Sequence, residues 1–165
     1  MAQVQTGDAA AFRVLFDRYE TRVHGFLLRK TGDPELAADL YQETFLKVYR
    51  ARSTWTPGRP FRPWLFGIAA NTTRDHARRQ RRRPHEVELS AWQGTSETPD
   101  HASRMHLEDA LQQLPETLKD AFLLGAVEGF DHNEVAAQLA ISPDNARARV
   151  SRARAWLRER LGQTS

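Results

Sequence analysis

Apolar residues recur at helical spacing through most of the chain, whereas the alternation of apolar and polar residues typical of a strand is missing. The first helical segment runs from Ala9 to Lys30, with Asp8 as its predicted N-cap and Gly32 at its end. The second runs from Asp33 to about Ala51, and Pro34 suits its first position. The pattern predicts an all-α protein.

The segment from Phe61 to Arg83 predicts a helix that is apolar at its start and almost purely cationic at its end. One of its faces is predicted to be buried: Trp64, Leu65, Ile68, Ala69 and Thr72. A second face carries Asn71, Arg74, Arg78 and Arg81. We therefore expect one side of this helix to lie in a core and the other to present guanidinium groups to a polyanion.

Helical periodicity is lost after Pro84 and returns at Arg104. Acids, Gly, Ser and Pro fill the stretch between them, which is typical of a linker. The sequence thus predicts two small helical domains, residues 1–83 and 104–165, joined by a flexible linker over residues 84–103.

The second domain contains the spacing of a helix-turn-helix between His132 and Ser151, with Ser142 as the predicted N-cap of its second helix. Residues near the start of such a second helix reach base edges in the major groove. Here they are Asp144, Arg147, Ala148, Ser151 and Arg152. Arg147 and Arg152 suit either a guanine edge or a phosphate, and the sequence leaves both possibilities open.

Two further surfaces have alternative interpretations. Asp39, Gln42, Glu43 and Leu46 share one face of the second helix. They indicate either a solvated face with one exposed leucine or a docking surface for a partner. The Pro- and Gly-rich loop from Ser53 to Pro63 carries Trp55 and Arg59, which suit either stacking on unpaired bases or the edge of a core.

Composition narrows the classes of protein. Only Lys30, Lys47 and Lys119 are lysines, so nearly all positive charge is arginine, although the net charge is only +3. The absence of cysteine excludes disulfides and thiolate metal sites and fits a reducing compartment. The longest apolar run, Trp64 to Ala70, is too short to span a bilayer, so we expect a cytoplasmic protein without membrane insertion.

Enzyme chemistry has little support in the sequence. The six histidines form no helical pair typical of a metal site, and no Gly-rich phosphate loop or nucleophile motif is present. We therefore predict no catalytic residue, no metal site and no cofactor.

In combination, several motifs make the chain resemble an extracytoplasmic-function (ECF) sigma factor of the sigma-70 family. The most specific motif is the run from Asp39 to Tyr49. The remaining motifs, in order, are Gly7 to Phe12, Phe61 to Leu65 followed by Ile68 to Asn71 and Asp75, Leu111 with Leu114-Pro115, Glu134 to Ala136, and Ser151 to Arg154. The sequence departs from the family at Ala140, where glycine is usual in the turn, and at Asn145-Ala146, where Thr-Val is common.

The resemblance implies a bacterial alternative sigma factor that binds core RNA polymerase, recognises promoter DNA and promotes strand opening for transcription initiation. Asp39, Gln42, Glu43 and Leu46 would dock on the clamp helices of the β′ subunit, with the β subunit as a further contact. Residues implied for the minus-ten element are Trp55, Arg59, Asn71, Arg74, Arg78 and Arg79. Asp144, Arg147, Ala148, Ser151 and Arg152 would read the minus-thirty-five element as duplex. The family also implies a separate anti-sigma factor.

Two other functions compete with this hypothesis. A sigma-mimicking protein that titrates an anti-sigma factor would not need arginines on both promoter-facing surfaces. An ordinary helix-turn-helix regulator would leave the motif from Asp39 to Tyr49 without a role.

Overall fold

The computed structural model describes residues 1–82 and 99–162, and most of these residues are helical. No strand occurs within these two ranges, so the predicted all-α fold is confirmed. The helices are α1 (Ala2–Gln5), α2 (Ala9–Thr31), α3 (Pro34–Arg50), α4 (Phe61–Arg82), α5 (Pro99–Gln113), α6 (Glu116–Phe122), α7 (His132–Leu139) and α8 (Pro143–Gly162). Most of the predicted linker, residues 84–103, lies outside the described ranges, but its last residues, 99–103, belong to α5, which begins earlier than predicted.

The ends of α2 and α3 follow the capping signals of the sequence. Asp8 accepts hydrogen bonds from the backbone N–H groups of Ala10 and Ala11 at 2.9 and 3.0 Å. Asp33 accepts equivalent bonds from Glu35 and Leu36. These carboxylates satisfy N–H groups that have no partner within their own helix.

Aromatic rings fill the space between α2 and α3. The ring of Phe16 packs edge-on against Tyr41 and Phe45, with centroid distances of 4.9 and 4.6 Å. Phe12 makes similar contacts with Phe45 and Tyr49. Such pairs add to the stability that area burial alone supplies, so α2 and α3 form a firm platform for α4.

The C-terminal half contains the predicted helix-turn-helix, formed by α7 and α8. Asp131 and Glu134 form a capping box at the start of α7. Ala140 ends α7 in the left-handed region, with φ of 54°. This conformation explains why glycine would suit the turn, and it shows that alanine tolerates it here. Helical spacing predicts a buried stripe of Ala146, Val150, Ala153, Leu157 and Leu161 on α8. The first four are buried, and Leu161 is partly buried.

We call α1 to α4 the first half and α5 to α8 the second half. One hydrophobic core is shared by the two halves and joins α2, α3 and α4 to residues of α6, α7 and α8. Phe66 lies at its centre and is completely buried. Its ring centroid is 5.5 Å from that of Phe26 in the first half and 5.5 Å from that of Phe130 in the second. Of the stripe predicted for α4, Leu65, Ala69 and Thr72 are buried, whereas Trp64 and Ile68 are only partly buried. Phe66 and Ala70 are buried in addition, because the second half packs on α4 as well.

Replacing Phe130 with alanine should lower the free energy of unfolding by about 3–5 kcal/mol, because the change leaves a cavity between the halves. Urea unfolding followed by circular dichroism measures the loss. We expect one transition that shifts as a whole, since the core crosses both halves. Val14→Ala, at a side chain that is 59% exposed, is the control and should change stability by less than about 0.5 kcal/mol. Two separate transitions, with only one shifted, would contradict the shared core.

Candidate polymerase and nucleic-acid interfaces

The outer face of α3 carries the residues predicted to dock on a partner. Asp39 and Gln42 are exposed, and Leu46 is 56% exposed. The opposite face of the helix buries Leu40, Thr44 and Val48 against the core. The docking candidates thus lie on a helix whose position is fixed by packing.

Glu43 differs from its neighbours on this face because it is paired. Both of its carboxylate oxygens accept hydrogen bonds from a terminal nitrogen of Arg79 at 3.0 Å, and Lys47 Nζ lies 3.1 Å from the carboxylate. Burial opposes ionisation, but the hydrogen bonds from Arg79 and Lys47 prevail and lower the pKa of Glu43. Arg79, predicted for the minus-ten element, therefore lies against the docking face.

Three other residues predicted for the minus-ten element meet in one cleft of about 600 Å³. Trp55 and Arg59 contribute from the loop after α3, and Asn71 contributes from α4. The indole N–H of Trp55 is buried and has no hydrogen-bond partner among the described residues. Glu134 and Gln138 of α7 line the other side of the cleft. The sequence did not predict that α7 packs beside this loop.

Arg74 and Arg78 lie one turn apart on α4 but have different surroundings. Arg78 is exposed and pairs with Asp75 at 2.8 Å. Arg74 donates to the backbone carbonyl of Gln138 at 3.2 Å, and its Nε lies 3.8 Å from Asp120. The second half thus contacts the guanidinium of Arg74, whereas Arg78 is exposed to solvent.

A buried charge cluster ties the halves together beside Arg74. Lys30 Nζ, on a side chain that is 6% exposed, lies 2.9 Å from Asp120 Oδ1 and also pairs with Glu116. Burial works against the charge of Glu116, yet Lys30 and Lys119 lower its pKa. Burial also lowers the pKa of Lys119, with Glu116 partly compensating. Opposite charges inside a core are stable only when paired in this way.

At the start of α8, the residues predicted to read duplex DNA are accessible. Asp144, Arg147, Ser151 and Arg152 are exposed, and Ala148 is half-buried. Arg147 and Ser151 also line a cleft between α5 and α8 that contains two more arginines, Arg154 and Arg158. The exposed face at this end of α8 is therefore mainly cationic, while Ala146 and Val150 on the opposite face are buried.

Sequence reasoning missed two groups of residues in these surfaces. Arg149 lies beside Arg147 on α8 and donates from Nε to Asn145 Oδ1 at 3.2 Å, a pair that the four-residue spacing offers. Asp120 and Gln138 of the second half contact Arg74 on α4, and no local pattern marks them. Only the packing of the two halves reveals their position.

Other kinds of site lack support in the part of the chain that the structure describes. There, no group of three or more His, Cys, Asp or Glu residues is placed to hold a metal ion. The helices over residues 1–82 and 99–162 include none that is long and apolar enough to cross a membrane.

Comparison with known proteins identifies both halves. Sigma-70 region 2 matches residues 15–83, and Sigma-70, region 4 matches residues 104–157. The RNA polymerase sigma factor CarQ of Myxococcus xanthus is 42% identical, and the match covers 99% of this chain and 96% of CarQ. The ECF RNA polymerase sigma-E factor of Haemophilus influenzae is 30% identical, over 96% of this chain and 92% of that protein.

A solved structure supports the same arrangement of helices. It is that of CnrH in complex with the cytosolic domain of CnrY. Its similarity has a TM-score of 0.76 at 28% identity and covers 99% of this chain and 96% of that chain. The fold, including both halves, is therefore similar to that of CnrH.

Replacing Asp120 with asparagine should destabilise the protein by about 3 kcal/mol, because it removes one of the two acids that balance the buried Lys30. Urea unfolding of the variant and the wild type measures the difference. Asp109→Asn makes the same charge change at an exposed position of α5 and should have little effect. Equal loss in the two variants would mean that the buried cluster contributes no specific stability.

Proposed function

Because the chain belongs to the ECF group of the sigma-70 family of RNA polymerase sigma factors, we propose that it binds core RNA polymerase, recognises promoter DNA and promotes strand opening for transcription initiation. The observation that carries the proposal is the exposed face of α3. There, Leu46 is 56% exposed among polar neighbours within the most specific motif of the family. In the proposed complex, the partner buries this leucine, which is exposed in the free chain.

Core polymerase docks on Asp39, Gln42, Glu43 and Leu46 in this proposal. The acidic side chains steer the approach of a basic partner, and Leu46 supplies apolar area at the centre of the contact. Arg79 holds the Glu43 carboxylate in place from the neighbouring helix, so docking of a basic partner on Glu43 would compete with this pair. The clamp helices of the β′ subunit are the proposed docking site, and the β subunit is a further contact.

Promoter DNA is bound by two unlike surfaces. Arg147, Ala148, Ser151 and Arg152, with Asp144 beside them, read the minus-thirty-five element as duplex in the major groove. The cleft of Trp55, Arg59 and Asn71, together with Arg74 and Arg78, captures the minus-ten element as a single strand. Unstacking a base costs a few kcal/mol, and stacking on an aromatic side chain recovers about 1–3 kcal/mol per base.

Strand capture requires the two halves to separate. Gln138 and Glu134 line the cleft of Trp55, and Asp120 and Gln138 occupy Arg74. A nucleic-acid strand and α7 compete for the same face of α4. We call the arrangement with the two halves in contact the closed form, and we expect it to bind promoters weakly by itself. When the chain docks on the polymerase, contacts between the halves are replaced by contacts with DNA.

A separate anti-sigma factor is the proposed regulator. CnrH, a chain of similar fold, was solved in complex with the cytosolic domain of CnrY, and this supports binding of the present chain by a separate protein. We expect no catalytic activity of the chain itself, and we expect it to act in the cytoplasm, where core polymerase is found. A protein that only titrates an anti-sigma factor would give no transcript in the assay below.

Transcription in vitro with core polymerase on a library of promoters tests this function, and Leu46→Ser is the diagnostic variant. Loss of a buried leucine contact should weaken core binding by about tenfold or more and lower transcription accordingly. Val14→Ser is the matched control, because Val14 is similarly exposed but lies on α2. If the folded wild-type chain binds core but supports no transcript from any promoter, the proposed function is wrong.

A reversible crosslink tests the separation of the halves. The chain has no cysteine, and a Cβ at position 67 would lie 3.7 Å from Cγ of Gln138. A disulfide between Gly67→Cys and Gln138→Cys should reduce promoter opening to the level of core polymerase alone, and a reductant should restore it. Each single variant under the same oxidant is the control. Equal opening by the oxidised and reduced forms would show that separation is unnecessary.

A further inference from the structure

The loop that carries Trp55 is tied to the N-terminal end of the chain by one side chain. Nε2 of Gln5 donates to the backbone carbonyl of Arg52 at 3.0 Å and to that of Trp55 at 2.7 Å. These two carbonyls lie about 50 residues further along the chain. We propose that Gln5 is a positioning residue that holds this loop in the shape that captures the promoter strand, an inference that rests on the proposed function.

The short helix α1 is anchored well enough to serve as a support. A helix of four residues has little stability of its own. Val4, however, is buried at 1% exposure, and Gly7 N donates to the carbonyl of Val4 at 3.1 Å. Gly7 has φ of 89°, a conformation that lets the chain turn sharply into α2. The side chain of Gln5 therefore projects from a fixed point.

The hydrogen bond to the Trp55 carbonyl lies between two differently structured parts of the loop. Before it, a turn of 3-10 helix spans Arg52–Thr54, and Arg52 lies over the Tyr49 ring at 4.1 Å. After it, residues 56–60 are all exposed. Within this stretch, Arg59 N donates to the carbonyl of Thr56, so it forms a turn of its own. Gln5 thus joins the ordered start of the loop to the cleft that Trp55 lines.

The chemistry of the contact calls for an amide donor. A carboxylate at position 5 would place an acceptor against two carbonyl oxygens, which also accept only. A shorter amide would not reach both carbonyls from the same backbone position. Gln5→Glu is therefore the substitution that tests the two hydrogen bonds most directly, since glutamate keeps the size of the side chain and removes the donor.

The experiment compares Gln5→Glu with Gln3→Glu in the full chain bound to core polymerase. Gln3 lies on the same helix, and its side chain is exposed, so both variants carry the same charge change. The probes come from a promoter that the wild-type holoenzyme selects from a random library. One is a fluorescent single-stranded oligonucleotide of the minus-ten region, and the other is a duplex of the minus-thirty-five region.

Loss of the two hydrogen bonds should weaken binding of the single strand by about tenfold in Gln5→Glu, with binding of the duplex and of core polymerase unchanged. Amide hydrogen exchange of residues 54–59 should be faster in this variant alone. Gln5→Asn, a milder change, should give a smaller loss of the same kind.

Several outcomes would overturn the proposal. Equal affinity of Gln5→Glu and Gln3→Glu for the single strand removes the positioning role and leaves the proposed function intact. A parallel fall in core binding, duplex binding and melting temperature for both Gln5 variants assigns Gln5 a general structural role instead. A wild-type holoenzyme that selects no promoter overturns the proposed function, and the positioning role with it.

Discussion

The structure depends on the burial of Phe66 between two other aromatic rings. Phe26 lies on one side and Phe130 on the other, each with a centroid distance of 5.5 Å. Because Phe26 belongs to the first half and Phe130 to the second, α4 packs against both halves. Lys30 of α2 also joins the halves through its pairs with Asp120 and Glu116. The apolar face of α4 lies in the shared core, and its polar face carries the residues that the proposed function assigns to DNA.

The same geometry makes the charges of α4 serve two purposes. Arg74 is held by Asp120 and by the carbonyl of Gln138, and the proposed function needs that guanidinium for a nucleic-acid strand. A half-exposed pair of this kind stabilises the closed form by only about 0–1 kcal/mol, so the contact is one that a phosphate can replace. The buried pair of Lys30 with Asp120 is stronger and lies deeper. The contacts between the halves therefore include the buried pair of Lys30 with Asp120 and the weaker contacts of Arg74, and the proposed function assigns Arg74 to the promoter strand.

Much of the proposed site was predictable because it depends on spacing within single helices. The exposure of Asp39, Gln42 and Leu46 follows from the apolar stripe on the opposite face of α3. The accessible end of α8 follows in the same way from its buried stripe. The cleft of Trp55 was predictable only in part, since the sequence marks the loop but not the two bonds from Gln5 that hold it. The pairing of Arg79 with Glu43 joins two surfaces that the sequence had assigned separately.

The sequence by itself determined α2, α3 and α4, the caps at Asp8 and Asp33, the helix-turn-helix and the family, but it did not mark the short helix α1. These features depend on residues within about one turn of each other, where hydrogen bonds and side-chain contacts repeat at fixed spacing. Only the tertiary structure decided that the halves close on α4 and that Phe66 rather than Trp64 is central to the core. The contact of Arg74 with Gln138 joins residues 64 positions apart. Such contacts depend on which surfaces fit together once the helices have formed, and periodicity along one helix carries no information about that fit.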